Sequence, residues 1–430
     1  MTKRALLLSV LPVATALAQR PQAPPPAATA ADTANSGGFE EPPTLKASEI
    51  LQPAVLAGPS HRVREDVPTY AGENWYVIDS DAGTFEAAGN VMLQNRIAEI
   101  YAILQLRQVS KGKVYGEAVK AAAKSPFVMA KNLIERPVDT ISAVPKGVFK
   151  LVKRTGRVIQ NAADGRQKSD YEDNNAAAVL GVSKAKRELA FNYGVNPYSS
   201  NSLLQKEMNS VGWASFAGQA SVAVLTAGIG GGVAATFKVS GVLSRNAVRL
   251  RDTAPADLLA QNKASLIRMG ANDATAERIL SNPALSPAHQ TNIISALEDL
   301  QGVAGRVDYA LYAAASAENE TDANFVEQTA FLISRLHAES IKLKAVTIRD
   351  GLPVCVGQNG TLVVALHWDY ASWTPRAADF LASVQEMAAA DEGGKKLAVM
   401  ITGQMSPLLR RQLEARKVQV FDRVIPGPLK

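Results

Sequence analysis

Apolar residues change period several times along the chain, and each change marks a different kind of element. Trp75-Tyr76-Val77-Ile78 is a β-type run, Ser80-Asp81-Ala82-Gly83 reads as a turn, and Thr84-Phe85-Glu86 as a returning strand. Leu93, Ile97, Ile100 and Leu104 then recur at helical spacing on one face, which predicts a helix from Leu93 to Leu106. Residues 47–106 are therefore expected to form a β-hairpin followed by a helix. Over 107–169 the pattern breaks up: Pro126, Pro137 and Pro145 each open a new apolar run, and Phe127, Ala130, Ile134, Val138, Ile141, Val148, Leu151 and Val152 mark one apolar side. Short, interrupted amphipathic helices are the expectation there.

Residues 170–340 read as helical throughout. Ser183 is placed to cap a helix to Asn192 that Gly194 ends, and a second helix starts near Asn201. Met208 to Phe237 then carries no charge between Glu207 and Lys238 and is rich in Gly and Ala. It is long enough to span a bilayer, and its small residues suit close helix contact in lipid. Against that, Ser215, Gln219, Ser221 and Thr226 are polar, and Gly230-Gly231-Gly232 breaks a helix in water. Burial is the preferred reading, membrane contact the alternative, with a membrane-inserting hairpin as its extreme form. Thr253 to Ser340 carries short helices capped or opened by Thr253, Asp273 and Ser286-Pro287, continuing through 307–315 and 324–337.

The last ninety residues switch period. Leu352–Val356 and Thr361–Leu366 flank Gln358-Asn359-Gly360 as a hairpin; a helix follows from Pro375, a strand over Leu397–Ile401, a helix from Ser406 and a strand over Val418–Phe421. The expected fold class is mainly α, a helical bundle built around the apolar 208–237 segment, with a small α/β domain over 341–430.

Composition adds location. Lys3 and Arg4, the apolar run Ala5–Ala14 and Ala16-Leu17-Ala18 form a secretory signal over 1–18, with cleavage expected before Gln19. Residues 19–46, with Pro24-Pro25-Pro26 and Pro42-Pro43, read as a disordered tether. The formal net charge of +6 falls to +4 once Lys3 and Arg4 are removed. Much of the basicity is local: Lys111 to Lys168 holds 13 Lys/Arg against 4 acids. That segment reads as a basic arm, packed on the body or docked on anionic lipid. The single Cys355 gives no intrachain disulfide, which fits a bacterial periplasm.

Chemistry is sparse. The four His (61, 289, 337, 367) show no metal-ligand spacing, so no metal and no cofactor are expected. No phosphate loop or nucleophile elbow occurs, and a nucleic-acid partner is not expected of an exported chain. The weak catalytic candidates are Cys355 on one arm of the C-terminal hairpin and His367 and Asp369 just beyond the other, as a nucleophile, base and orienting carboxylate.

Asp81-Ala82-Gly83-Thr84-Phe85-Glu86, Pro137-Val138-Asp139-Thr140, Asn196-Pro197-Tyr198-Ser199-Ser200-Asn201, Trp213-Ala214-Ser215-Phe216-Ala217-Gly218, Leu285-Ser286-Pro287-Ala288-His289-Gln290-Thr291 and the Leu362-to-Tyr370 strand together resemble an uncharacterised family of exported bacterial proteins. The resemblance runs in one order across most of the mature chain. It implies bacterial origin and export and carries over no catalytic residue. The sequence therefore points to a non-enzymatic interaction or structural protein of the cell envelope, held at an anionic membrane surface or by an envelope protein partner. A periplasmic hydrolase with its site in the C-terminal domain is the alternative.

Overall fold

The computed structural model of the chain describes residues 38–123, 181–218, 220–226, 241–390, 395–425 and 427. The expected signal over 1–18, residues 19–37 of the tether, the basic region beyond Ala123 and residues 227–237 of the apolar segment lie outside them.

The expectation of a mainly helical chain is corrected. Among the described residues helix accounts for 55% and strand for 19%, and the strands build two substantial sheets, one near each end. The first is six-stranded: β1 (Thr44–Lys46), β2 (Ala57–Gly58), β3 (His61–Val63), β4 (Asp66–Tyr70), β5 (Glu73–Ser80) and β6 (Gly83–Ala88). The β5–β6 hairpin is the one the sequence predicts, closing at Ser80 and Gly83. On the other edge of β5, β4 pairs through Thr69 and Tyr70, and β3 through His61 to Val63. The additional strands are two to five residues long and lie among Pro43, Pro53, Pro59 and Pro68, too short to display a period of two. Two short helices, α1 (Ala47–Ile50) and α2 (Pro53–Leu56), join β1 to β2.

The sheet folds against α3 (Asn90–Lys111), which buries Leu93, Ile97 and Ile100 with Leu51, Val67, Tyr76 and Ile78. Another face of α3 buries Ala102, Leu106 and Val109 in a separate core with α4 (Lys113–Ala123), α5 (Val182–Tyr193), α6 (Ser202–Ala217) and α7 (Val222–Thr226). In the described part of the apolar segment Met208, Val211, Ala214, Val222 and Leu225 are buried in this core, whereas Ala223 and Val224 are exposed. At Gly218 α4 approaches closely: a Cβ there would stand 2.5 Å from the Ala118 carbonyl oxygen. Among the described residues no helix is long and apolar enough to cross a membrane. Ser183, expected as a cap, lies inside α5, which starts after Gly181.

The helices α8 (Gly241–Asp252), α9 (Pro255–Arg268), α10 (Asp273–Leu280), α11 (Pro287–Glu298), α12 (Arg306–Ser316) and α13 (Glu320–Glu339) lead to the second sheet. It comprises β7 (Leu343–Arg349), β8 (Leu352–Gly357), β9 (Leu362–Leu366), β11 (Leu397–Ile401) and β13 (Gln419–Phe421), in the order β13-β11-β9-β8-β7. Strands β9, β11 and β13 are parallel, connected through α14 (Pro375–Ala389) and α15 (Pro407–Ala415), while β7 and β8 are antiparallel additions. Leu362, Val364 and Leu366 face one core with Leu381, Val384 and Leu409. Val363, Ala365 and Cys355 face the other core, with Tyr309, Val326 and Ile333. Both faces of β9 are dry, which is why it reads as an unbroken apolar run. The helices of 170–340 are thus divided: α5–α7 pack with α3, whereas α12 and α13 form a layer of the α/β unit. They do not make one bundle around the 208–237 segment.

Candidate functional site

Beyond Leu366 the chain leaves β9 as His367-Trp368-Asp369, and here the first sheet meets the second. Asp369 N–H and Tyr370 N–H donate to the Gly72 carbonyl at 2.8 and 3.2 Å, fixing the two-residue turn between β4 and β5 against the C-terminal unit. The Asp369 carboxylate in turn accepts from the main-chain N–H of Asn74 (3.1 Å) and of Asn90 (2.8 Å) through Oδ2. Asn90 is the first residue of α3, whose cap residue Gly89 has no side chain to offer. A carboxylate from 279 residues away therefore caps α3 and meets the positive end of its dipole. Gly89 is required on two counts: its φ is +93°, and a Cβ would stand 2.4 Å from Glu73 Oε2.

Glu73 hydrogen-bonds Asp369 side chain to side chain, and both are buried. Burial pushes the Glu73 carboxyl well above the usual carboxylate range, and the neighbouring Asp369 charge pushes it further. Burial also raises Asp369, to about 6, against the main-chain donors that favour its charge. Near neutral pH, Glu73 keeps the proton and donates it, and Asp369 is the anion. Around them Tyr76 Oη donates to Asn90 Oδ1 (2.5 Å), and Asn74 Nδ2 donates to the same oxygen (3.2 Å) and to Tyr76 Oη (3.1 Å).

A second buried polar set lies along α13. Glu327 Oε1 accepts from Asn292 Nδ2 at 3.1 Å and from Gln328 Nε2 at 3.4 Å, and Asn246 Nδ2 donates to Asn292 Oδ1 at 2.8 Å. Glu327 Oε2 stands 3.9 Å from His289 Nε2 on α11. Burial raises Glu327 to about 8 and depresses His289, so both are neutral at pH 7, Glu327 as an acid holding its proton. Two turns earlier on α13, Glu320 meets Arg96 of α3, which bridges Glu99 and Glu320, each at 2.7 Å. Ser199 and Asn201 donate to Glu99, and Ser200 to Glu320. Burial works against the Arg96 charge, but the two carboxylates outweigh it. These contacts join α3, the 199–201 turn and α13.

The three catalytic candidates are separated by this arrangement. Cys355 is fully buried, and burial raises its thiol to about 12. It pairs with Val363 on β9, four residues before His367, which places the two roughly 13 Å apart at ~3.3 Å per residue. His367 is buried, driven down to about 4 by burial, and its main-chain N–H donates to Thr329 Oγ1 at 3.1 Å. Asp369 is committed to Glu73 and α3. The nucleophile–base–orienter set is not assembled. The carboxyl groups sequence reasoning missed are Glu73 and Glu327; the latter sits four residues after buried Ala323 and three before buried Ala330, on the inward stripe of α13. Among the described residues no group of three or more His, Cys, Asp or Glu could hold a metal ion. Comparison with protein-family models, curated proteins and solved structures finds no match to this chain.

Proposed function

We propose that this chain is a non-enzymatic interaction protein of the bacterial cell envelope, docked on an anionic membrane surface along the edge where α4 meets α7. The observation that carries this reading is the outer side of that edge. Lys111, at the end of α3, and Lys113 and Lys120 of α4 are exposed, with the acidic Glu117 between the last two, and so are Val114 (45%) and Val119 (42%). Val224 of α7, which packs on α4, is 52% exposed, while Ala118 is buried inward. Apolar side chains set among lysines suit a lipid interface: the valines enter the headgroup–acyl boundary, and each lysine near an anionic surface contributes about 1 kcal/mol. In the sequence α4 is followed by 124–168, which holds the other 10 of the 13 Lys/Arg and 3 of the 4 acids. The secretory signal in the sequence supports the envelope as the compartment.

Vesicle flotation of the full chain without residues 1–18 tests the proposal. Binding to phosphatidylglycerol-containing vesicles at low salt, loss of binding to pure phosphatidylcholine, and weakening in K111E/K113E/K120E are the expected results. Equal recovery with both lipids, or none with either, overturns it.

A further inference from the structure

The end of the expected tether, Gly38–Pro43, is seated on the C-terminal unit. It enters from β1, where the Pro43 carbonyl accepts from the N–H and the hydroxyl of Thr69, at 3.0 and 2.8 Å. Glu40 N–H donates to the Trp373 carbonyl at 3.0 Å, and Trp373 N–H donates back to Glu40 Oε1 at 2.5 Å. The same carboxylate oxygen accepts from the Ser406 hydroxyl. Phe39 lies against Trp373 with ring centroids 6.2 Å apart, and the Arg416 guanidinium sits 5.1 Å from the Trp373 ring centre.

The location gives these contacts meaning. Trp373 is in the connection from β9 to α14, and Ser406 in the connection from β11 to α15. Two-residue strands, β10 (Tyr370–Ala371) and β12 (Gln404–Met405), stitch the connections together in parallel. Ser406 caps α15, its Oγ accepting from Leu409 N–H at 3.0 Å. The carboxyl ends of parallel strands are where open α/β sheets receive ligands, and main-chain N–H groups at helix N-termini favour anions there. Here a carboxylate from 333 and 366 residues away already occupies the position. Ser406 and Trp373 are buried beneath it at 2% and 4% exposure. The Ser372 hydroxyl oxygen in the same connection is buried with no hydrogen-bond partner among the described residues.

We propose that Gly38–Pro43 is an autoinhibitory strap whose Glu40 carboxylate stands in for an anionic ligand, and that the site beneath takes a small carboxylate or phosphate through Trp373 N–H, the Ser406 hydroxyl and the α15 N-terminus. A tethered carboxylate competes at an effective concentration on the order of millimolar, so a free anion binds the intact chain weakly. The Phe39 contact indicates that the natural ligand carries an apolar group beside its charge. This inference does not depend on membrane docking.

The test uses the full chain without residues 1–18, labelled with ¹⁵N-tryptophan. The four tryptophans give four main-chain amide signals, and W373F assigns one of them. Inorganic phosphate and acetate are titrated separately at constant ionic strength, with chloride as the control. In F39A/E40A the Trp373 amide is expected to shift saturably at about tenfold or more lower anion concentration than in the unsubstituted chain. Adding S406A should weaken that binding, and the anion that saturates first separates phosphate from carboxylate. The other three signals report that the fold is intact; if it is lost, E40Q, which removes only the charge, carries the same comparison. No shift with either anion in the strap variants, or the same response in the unsubstituted chain, overturns the proposal.

Discussion

Replacing Glu327 by Gln tests the buried polar set along α13 most sharply, because Gln matches the protonated acid in shape and cannot ionise. Burial raises Glu327 from 4.5 to about 8. A carboxyl whose folded value lies above its unfolded value contributes stability that is full below the unfolded value and is lost as pH rises toward the folded one. The window therefore runs from 4.5 to about 8. At ~1.36 kcal/mol per pH unit, holding the proton costs the native state about 4 kcal/mol at pH 7.5 and less than about 0.5 kcal/mol at pH 4.5. Gln keeps the acceptor for Asn292 and Gln328 and places its amide nitrogen where Oε2 lacks a partner. His289, Asn292, Gln328 and the other groups facing this position are present in both proteins, so their own titrations cancel in the difference. Relative to wild type, E327Q should thus gain about 2–3 kcal/mol between pH 5.5 and 7.5, whatever its offset at acid pH. With a urea m-value of about 3 kcal/mol/M, the difference between their unfolding midpoints should grow by about 1 M over that range. Midpoints that move in parallel with pH would refute the reasoning, since Glu327 would then be ionised or solvated in the native state.

Further outcomes follow from the other contacts. Asp369→Ala leaves the Asn74 and Asn90 N–H groups without their acceptor and should lower stability by about 2–4 kcal/mol in urea titrations; a loss below about 0.5 kcal/mol would mean water replaces the cap freely. Arg96→Ala leaves buried Glu99 and partly buried Glu320 without their cation and should cost about 3–5 kcal/mol at pH 7, recovered in part at acid pH, where Glu320 protonates and no longer needs a partner charge. An undiminished loss at acid pH would point to packing as the cause. Cys355 should resist a thiol reagent in the native protein at pH 8 and react only on unfolding, because its thiol is buried and raised to about 12. Rapid native labelling would reopen it as a nucleophile.

Four of the five strands of the C-terminal sheet are legible because their signals are local; β7, which pairs along β8, is not. Asn359-Gly360 marks the turn, Leu362–Leu366 is an unbroken apolar strand, and Thr374 and Ser406 each precede a proline at a helix start. The first sheet was visible only at β5 and β6, whose strands are long enough to carry a pattern; β1 to β4 take shape by pairing with neighbours rather than from their own sequence. Likewise the helices between 170 and 340 were readable as helices, but not their division between two cores, because partner choice depends on surfaces distant in sequence. The site shows the same limit. In the sequence Asp369 stands out only for its proximity to His367, whereas its partners, Asn74 and Asn90, lie 295 and 279 residues away. Residues 38–46 have the composition of a tether, and nothing local reveals that Glu40 meets Trp373 and Ser406.

Fractionation of cells producing the full chain puts the central claim to the most direct test. Membranes are collected at low salt, washed with high salt and then with alkaline carbonate. Docking through Lys111, Lys113, Lys120 and the basic residues that follow predicts retention at low salt and release by the salt wash, as screening weakens attraction to anionic lipid. Recovery in the low-salt supernatant would contradict membrane docking, and retention through carbonate would contradict a peripheral, electrostatic attachment.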